Sequence, residues 1–223
     1  MKPALKPSLL WFALCLLPLL SLATEPVPAP AEAPPSATTP AETQPSAGGP
    51  AAAPPELEAR GFLLIDFNSG QVLSEKNADE PLEPASLTKI MTAYSVFREI
   101  AAGRIHLTDM VTISEKAWKT GGSRMFVQVG TQVSVEDLLK GMIIQSGNDA
   151  SVALAEHVAG TEEAFANLMN SHAKRLGMSN THFTNANGLP DPALHTTARD
   201  MARVTVALIR EFPEYYAWYK TQE

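Results

Sequence analysis

Ten of the chain's eighteen prolines fall between Glu25 and Pro55, in a stretch that is otherwise mostly Ala, Thr, Glu, Ser and Gly and has no aromatic residue. Such a segment cannot bury enough apolar surface to offset the entropy lost on ordering it. Residues 24–56 therefore read as a semi-extended tether, and a folded domain is expected over residues 57–223.

The tether is preceded by a targeting segment. Lys2 and Lys6 give a positive start, Leu9 to Leu22 is apolar apart from Pro18 and Ser21, and Ser21-Leu22-Ala23 fits a small-x-small cleavage site. Residues 1–23 read as a secretory signal peptide; the apolar run is short for a membrane span. The only cysteine, Cys15, lies inside this run. A mature chain would have no disulfide, no thiol nucleophile and no Cys-based metal site. The formal net charge of −7, with no basic run, argues against nucleic acid as a partner.

Within the domain, Gly61-Phe-Leu-Leu-Ile-Asp66 reads as a buried strand, Asn68-Ser69-Gly70 as a turn and Gln71-Val-Leu-Ser74 as the returning strand. A helix is expected from about Ser86. Ile90, Tyr94 and Phe97 recur at helical spacing, and Lys89 is the only charge between Leu87 and Phe97. That pattern suggests a deeply buried helix with one charge facing something special. Further helices are expected over Glu136–Ile144 with Ser134 as N-cap, Asn148–Val158, Glu162–Leu176 before Gly177, and from Thr196 or Thr197 to about Arg210. Strands followed by a run of helices indicate an α+β arrangement. Two strands make a marginal sheet, and the aromatic residues Tyr215, Tyr216, Trp218 and Tyr219 are expected to lack a downstream partner.

The candidate chemistry begins at Pro84-Ala85-Ser86-Leu87-Thr88-Lys89. A serine and a lysine three apart on a helix share one face. A serine hydroxyl is a weak nucleophile until a base takes its proton, and a lysine whose ammonium is disfavoured by burial can be that base. With 15 serines and 9 lysines in the chain, chance supplies roughly half a match to such a short motif. Ser171-His172-Ala173-Lys174 is a second match and reads as a solvated helix face. Ser146-Gly147-Asn148, between two expected helices, is the only Ser-x-Asn. Its hydroxyl can relay a proton and its amide can hold a lysine or a substrate backbone; taken alone, the triplet is better explained as helix punctuation.

In combination these stretches resemble the low-molecular-mass penicillin-binding proteins of the D-alanyl-D-alanine carboxypeptidase branch. The resemblance rests on Pro84–Thr92, on Leu63–Asp66 and Asn77-Ala78-Asp79 before it, and on Ser146-Gly-Asn-Asp-Ala150. Gly177–Phe183, Asn187-Gly-Leu189 and Ala198-Arg-Asp-Met-Ala202 extend it. It implies a penicillin-binding/β-lactamase-like transpeptidase fold: an antiparallel sheet with helices on both faces and a helical subdomain. It implies that Ser86 attacks the carbonyl between the last two D-alanines of a peptidoglycan stem peptide, that Lys89 accepts the serine proton, that Ser146 assists the transfer and that Asn148 holds substrate. It also implies covalent inhibition by β-lactams, no metal, no organic cofactor and a periplasmic location.

One departure stands out. The family's third motif, Lys-Thr-Gly on a sheet strand after the other two, has no counterpart after Asn148, so an incomplete sheet and a C-terminally shortened catalytic domain are expected, without the C-terminal segment that ties many members to the membrane. Lys119-Thr120-Gly121 has the letters but precedes the second motif and reads as a loop over the cleft. A serine β-lactamase, a peptidoglycan endopeptidase and a non-catalytic wall-binding protein remain as alternatives, although no Glu-x-x-Leu-Asn pentad of the first kind is found.

The five histidines, His106, His157, His172, His182 and His195, show no metal-ligand spacing. His157 and His172 read as helix-surface residues, Arg199-Asp200 as a local ion pair, and Trp118 and Phe126 as core.

Overall fold

A computed structural model describes residues 57–221. The signal-peptide and tether readings lie outside the described residues. Strands β1 (Phe62–Ile65) and β2 (Val72–Lys76) form the expected antiparallel hairpin, with Phe62 opposite Lys76 and Leu64 opposite Ser74. Its turn is closed by Asp66, whose Oδ1 accepts from the Ser69 amide at 2.7 Å and the Ser69 hydroxyl at 2.6 Å. β1 is not the buried strand expected from its composition. Leu63 and Ile65 face the last long helix, but Leu64 on the opposite face is 55% exposed, because the described residues place no layer there.

The core is organised around one helix. A 3₁₀ turn, Ala85–Leu87, leads into α1 (Thr88–Ala101). Ser86 therefore lies in the tight turn that precedes the α-helix rather than in its first turn. Met91, Ala93, Tyr94, Val96 and Phe97 are all fully buried, and so are Thr92 and Ser95. A helix buried on nearly every side needs neighbours all round. These are α3 (Val135–Gln145), α4 (Asn148–Ala159), α5 (Glu162–Arg175) and α6 (Ala198–Glu211). Caps follow the sequence closely: Ser134 accepts from Asp137, Thr161 from Ala164 and Thr197 from Asp200. α5 ends before Gly177, which supplies the positive φ of 72°.

Between α1 and α3 lie elements the sequence did not announce. β3 (Met110–Thr112) pairs antiparallel with β4 (Gln132–Ser134), and α2 (Glu115–Lys119) is capped by Ser114. After α6, α7 (Pro213–Tyr216) and a 3₁₀ turn over Ala217–Lys220 fold back on the core. Tyr215 stacks on Phe97 at 4.5 Å and the Trp218 ring meets Phe97 edge-on at 6.3 Å. Two of the four C-terminal aromatics thus pack upstream, on α1, and Tyr216 and Tyr219 lie against each other at 5.8 Å. Tyr216 and Tyr219 remain more than a third exposed.

Candidate active site

Ser86 and Lys89 meet as their spacing requires. Lys89 Nζ donates to Ser86 Oγ at 3.2 Å and to the Asn187 carbonyl at 2.8 Å. Lys89 is buried, and among the described residues no carboxylate is within ion-pair distance of it. Burial accordingly pulls its pKa down to about 8. An amine whose charged form is disfavoured by burial, at hydrogen-bond distance from a hydroxyl, is the geometry of a base and its nucleophile.

The backbone beside Ser86 is strained. Ala85 has φ +46°, a region that costs a non-glycine residue about 1 kcal/mol or more. The Ala85 carbonyl faces Gly188, where φ is +84° and an added Cβ would come within 1.8 Å of that oxygen. Asn187, Gly188 and Leu189 thus form a turn pressed onto the turn that carries Ser86.

Asn148 opens α4. Its Nδ2 donates to the Gly121 carbonyl at 2.7 Å and its backbone N–H to the Ser123 carbonyl at 2.7 Å. The next residue, the buried Asp149, accepts from the Met125 and Val127 amides at 3.0 and 3.2 Å. Asn148 and Asp149 together tie down residues 121–127. This segment and the 187–191 turn face each other across a cleft of about 300 Å³ lined by Ser86, Ser123 and the buried Asn148 and Asn187.

Of the four sequence candidates, Ser86 and Asn148 line this cleft and Lys89 lies beneath it. Ser146 sits apart. It ends α3 in the left-handed conformation, φ 57°, is half-buried, and is not a partner of Lys89. Lys119 is helical rather than in a loop: it closes α2 and is paired with Glu115 at 2.5 Å, and only past Thr120 does the chain run as a loop, in which Gly122 and Ser123 border the cleft. The Asn187 carbonyl was not singled out, because a backbone acceptor leaves no mark in residue type. Nor was Glu162, which supports the same turn from below.

Several other readings change. His172 is half-buried edge-on against Tyr94 at 5.7 Å, and burial lowers its pKa to about 4; it is not a surface residue. Arg199 does not pair with Asp200. It reaches Asp79 at 2.8 Å and Glu75 at 2.6 Å, while Asp200 accepts from the Asn180 amide, Thr181 and Arg203. Trp118 and Phe126 are 38% and 72% exposed rather than core, and Phe126 has a φ of +62°. Among the described residues no three His, Cys, Asp or Glu side chains cluster as metal ligands.

Comparison with known proteins places this chain and its fold among the D-alanyl-D-alanine carboxypeptidases and penicillin-binding proteins. The signature of the D-alanyl-D-alanine carboxypeptidase family matches residues 49–223, and the chain belongs to that family. The D-alanyl-D-alanine carboxypeptidase DacC of Escherichia coli is 54% identical over 175 residues, covering 76% of this chain and 44% of the relative. The crystal structure of the D-alanyl-D-alanine carboxypeptidase DacD from Francisella tularensis superposes with TM-score 0.73 at 50% identity, over 75% of this chain and 40% of that one. Penicillin-binding protein 5 from Haemophilus influenzae gives TM-score 0.74 at 46% identity, over 77% and 51%. The chain thus spans less than half the length of the curated relative and about half or less of the two solved ones.

Proposed function

We propose that the protein is a serine-type D-Ala-D-Ala carboxypeptidase that removes the terminal D-alanine from peptidoglycan stem peptides, and that β-lactams acylate it. The observation that carries this reading is the 3.2 Å contact between the buried Lys89 amine and Ser86 Oγ. Neutral Lys89 takes the hydroxyl proton as Ser86 Oγ bonds to the carbonyl carbon of the penultimate D-alanine. The proton passes on to the leaving amine as the peptide C–N bond breaks, and D-alanine departs. Water then cleaves the Ser86 ester and restores the hydroxyl. No step needs a metal or an organic cofactor.

Asn148 is assigned to the substrate backbone, because its side chain borders the cleft and is held by Gly121. Ser146 is assigned the proton relay to the leaving amine. Support for that role is its place two residues before Asn148 and the family resemblance, since its hydroxyl is not bonded to Lys89. Export to the periplasm is supported by the apolar run after Lys2 and Lys6 and by the location of the substrate. Among the described residues no helix is long and apolar enough to cross a membrane.

The test is release of D-alanine from a stem-type peptide ending in D-Ala-D-Ala by the full-length product of the gene carrying these residues. Carboxypeptidase activity gives free D-alanine and a shortened monomer. An enzyme that instead splits only cross-linked dimers is an endopeptidase, and one that turns over penicillin rapidly is a β-lactamase; either result replaces this reading.

A further inference from the structure

Beneath the cleft lies a buried carboxylate with no part in the chemistry above. Glu162, the first residue of α5, is 8% exposed. Its Oε1 accepts from the Ala186 amide at 3.1 Å and from Asn187 Nδ2 at 3.3 Å, and its Oε2 pairs with Lys116 at 2.9 Å. The helix N-terminus also favours a negative charge there. Both amide donors belong to the turn whose Asn187 carbonyl receives the Lys89 amine at 2.8 Å. A second strut acts on the same turn from α1, where the Thr92 hydroxyl donates to the Ala186 carbonyl at 2.7 Å.

A neutral amine has two N–H bonds and one lone pair. If one N–H is held by the Asn187 carbonyl, the lone pair can be kept toward Ser86 Oγ, which is the orientation a base needs. The carbonyl must then stay in place; Ala186 before it is packed into the core, but beyond it Leu189 and Pro190 are exposed, so polar contacts have to hold the turn there. Asn185 braces the turn from within; from outside it, Glu162 supplies two hydrogen bonds and Thr92 one.

We infer that Glu162 is a positioning residue for Lys89, acting through the Asn187 turn, and that hydrogen bonding by Oε1 rather than negative charge is what matters. The inference rests on the reading of Lys89 as the base that activates Ser86. It separates two substitutions. Glu162→Gln can keep an oxygen at Oε1 and both bonds to the turn while discarding the charge and, with it, the Oε2 acceptor of Lys116. Glu162→Ala discards both bonds.

The experiment measures fluorescent-penicillin acylation of the full-length gene product, resolved into the limiting rate at saturation and the half-saturating concentration, with melting temperature followed by circular dichroism. Glu162→Ala is expected to lower the limiting rate about tenfold or more, a misplacement effect, with the half-saturating concentration little changed. Glu162→Gln should stay within about threefold of wild type, because the strut is retained. Asn187→Ala, which keeps the backbone carbonyl and the Ala186 bond but loses the Nδ2 bond to Glu162, should slow the reaction, though less than Glu162→Ala does, and the double variant should be no slower than Glu162→Ala alone. Should Glu162→Ala fail to fold, Asn187→Ala and Glu162→Gln still decide. Wild-type rates in folded Glu162→Ala or Asn187→Ala overturn the inference, and so does an equal loss in Glu162→Gln, which would make charge the agent. If Lys89→Met acylates as fast as wild type, the reading of Lys89 as base falls, and that failure is separate from a failure at Glu162.

Discussion

Gly188 lies against the Ala85 carbonyl so tightly that a β-carbon at position 188 would reach within 1.8 Å of the oxygen. Position 188 also has φ +84°, which side chains rarely tolerate. Gly188→Ala is therefore expected to cost on the order of 2–4 kcal/mol of stability, strain and overlap together. Since the obstacle is backbone rather than a flexible side chain, relief would have to move the turn that carries Ser86. Penicillin acylation should fall more steeply than the melting temperature alone would suggest; an unchanged acylation rate in a folded Gly188→Ala protein would contradict the close packing.

Lys89 gives a pH prediction with a definite sign. Burial lowers its pKa to about 8, and only the neutral amine can accept the Ser86 proton. The acylation rate should therefore rise with pH through about 8 and level off above it. The same shift bears on stability. Between about 8 and the ordinary lysine value of 10.5 the unfolded chain holds a proton that the folded one has released, so Lys89's contribution to stability increases with pH across that window. Lys89→Met removes a buried charge and fills the space. It is expected to abolish acylation while leaving the melting temperature at pH 7 the same or higher.

Asp149 has no place in the chemistry, yet it fastens one wall of the cleft. It is 1% exposed and accepts from the amides of Met125, Val127 and Ala150. Asp149→Ala leaves those donors unpaired, at a cost of about 2–4 kcal/mol. It also frees residues 121–127, so peptide and penicillin should both bind more weakly. Thermal unfolding and the half-saturating penicillin concentration check the two effects separately.

His172 should make the fold acid-sensitive. Its folded pKa of about 4 lies below the ordinary 6.5 through burial, reinforced by the positive charges of Arg175, Arg98 and Arg104 and opposed by Glu99. Between these two values the unfolded chain binds a proton that the folded chain does not, so stability falls as pH drops from about 6.5 toward 4. His172→Phe should lessen that decline while keeping the edge contact with Tyr94. Melting temperatures of both proteins between pH 7.5 and 4.5 test it, and parallel curves would contradict the assignment.

Much of this architecture was legible in the sequence wherever a residue type acts locally. Ser134 and Thr197 announced helix starts because a hydroxyl at an N-cap bonds within its own turn. The run from Ile90 to Phe97, with one lysine in it, marked a buried helix because apolar spacing maps onto a helix face. Ser86 and Lys89 met because three residues make nearly one turn. What stayed hidden depends on long-range geometry. β3 and β4 have three residues each, too few for a periodic signal, and they pair across more than twenty positions. Phe62-Leu-Leu-Ile65 looked uniformly buried, yet Leu64 is exposed, since an apolar run does not say which face has a neighbour. Arg199 found Asp79 and Glu75 rather than its neighbour Asp200, and the Lys89 acceptor proved to be a backbone carbonyl 98 positions away. Ser146 shows the converse: a motif residue that the fold leaves at the end of α3 with no bond to Lys89.

The central claim is that Ser86, activated by Lys89, is the residue acylated. The most direct measurement is incubation of the full-length gene product with fluorescent penicillin, beside Ser86→Ala, followed by denaturing electrophoresis and mass mapping of the labelled peptide. The account predicts one covalent label on the peptide containing Ser86 and none on the folded Ser86→Ala protein. A label that persists in Ser86→Ala, or that maps elsewhere, would contradict it.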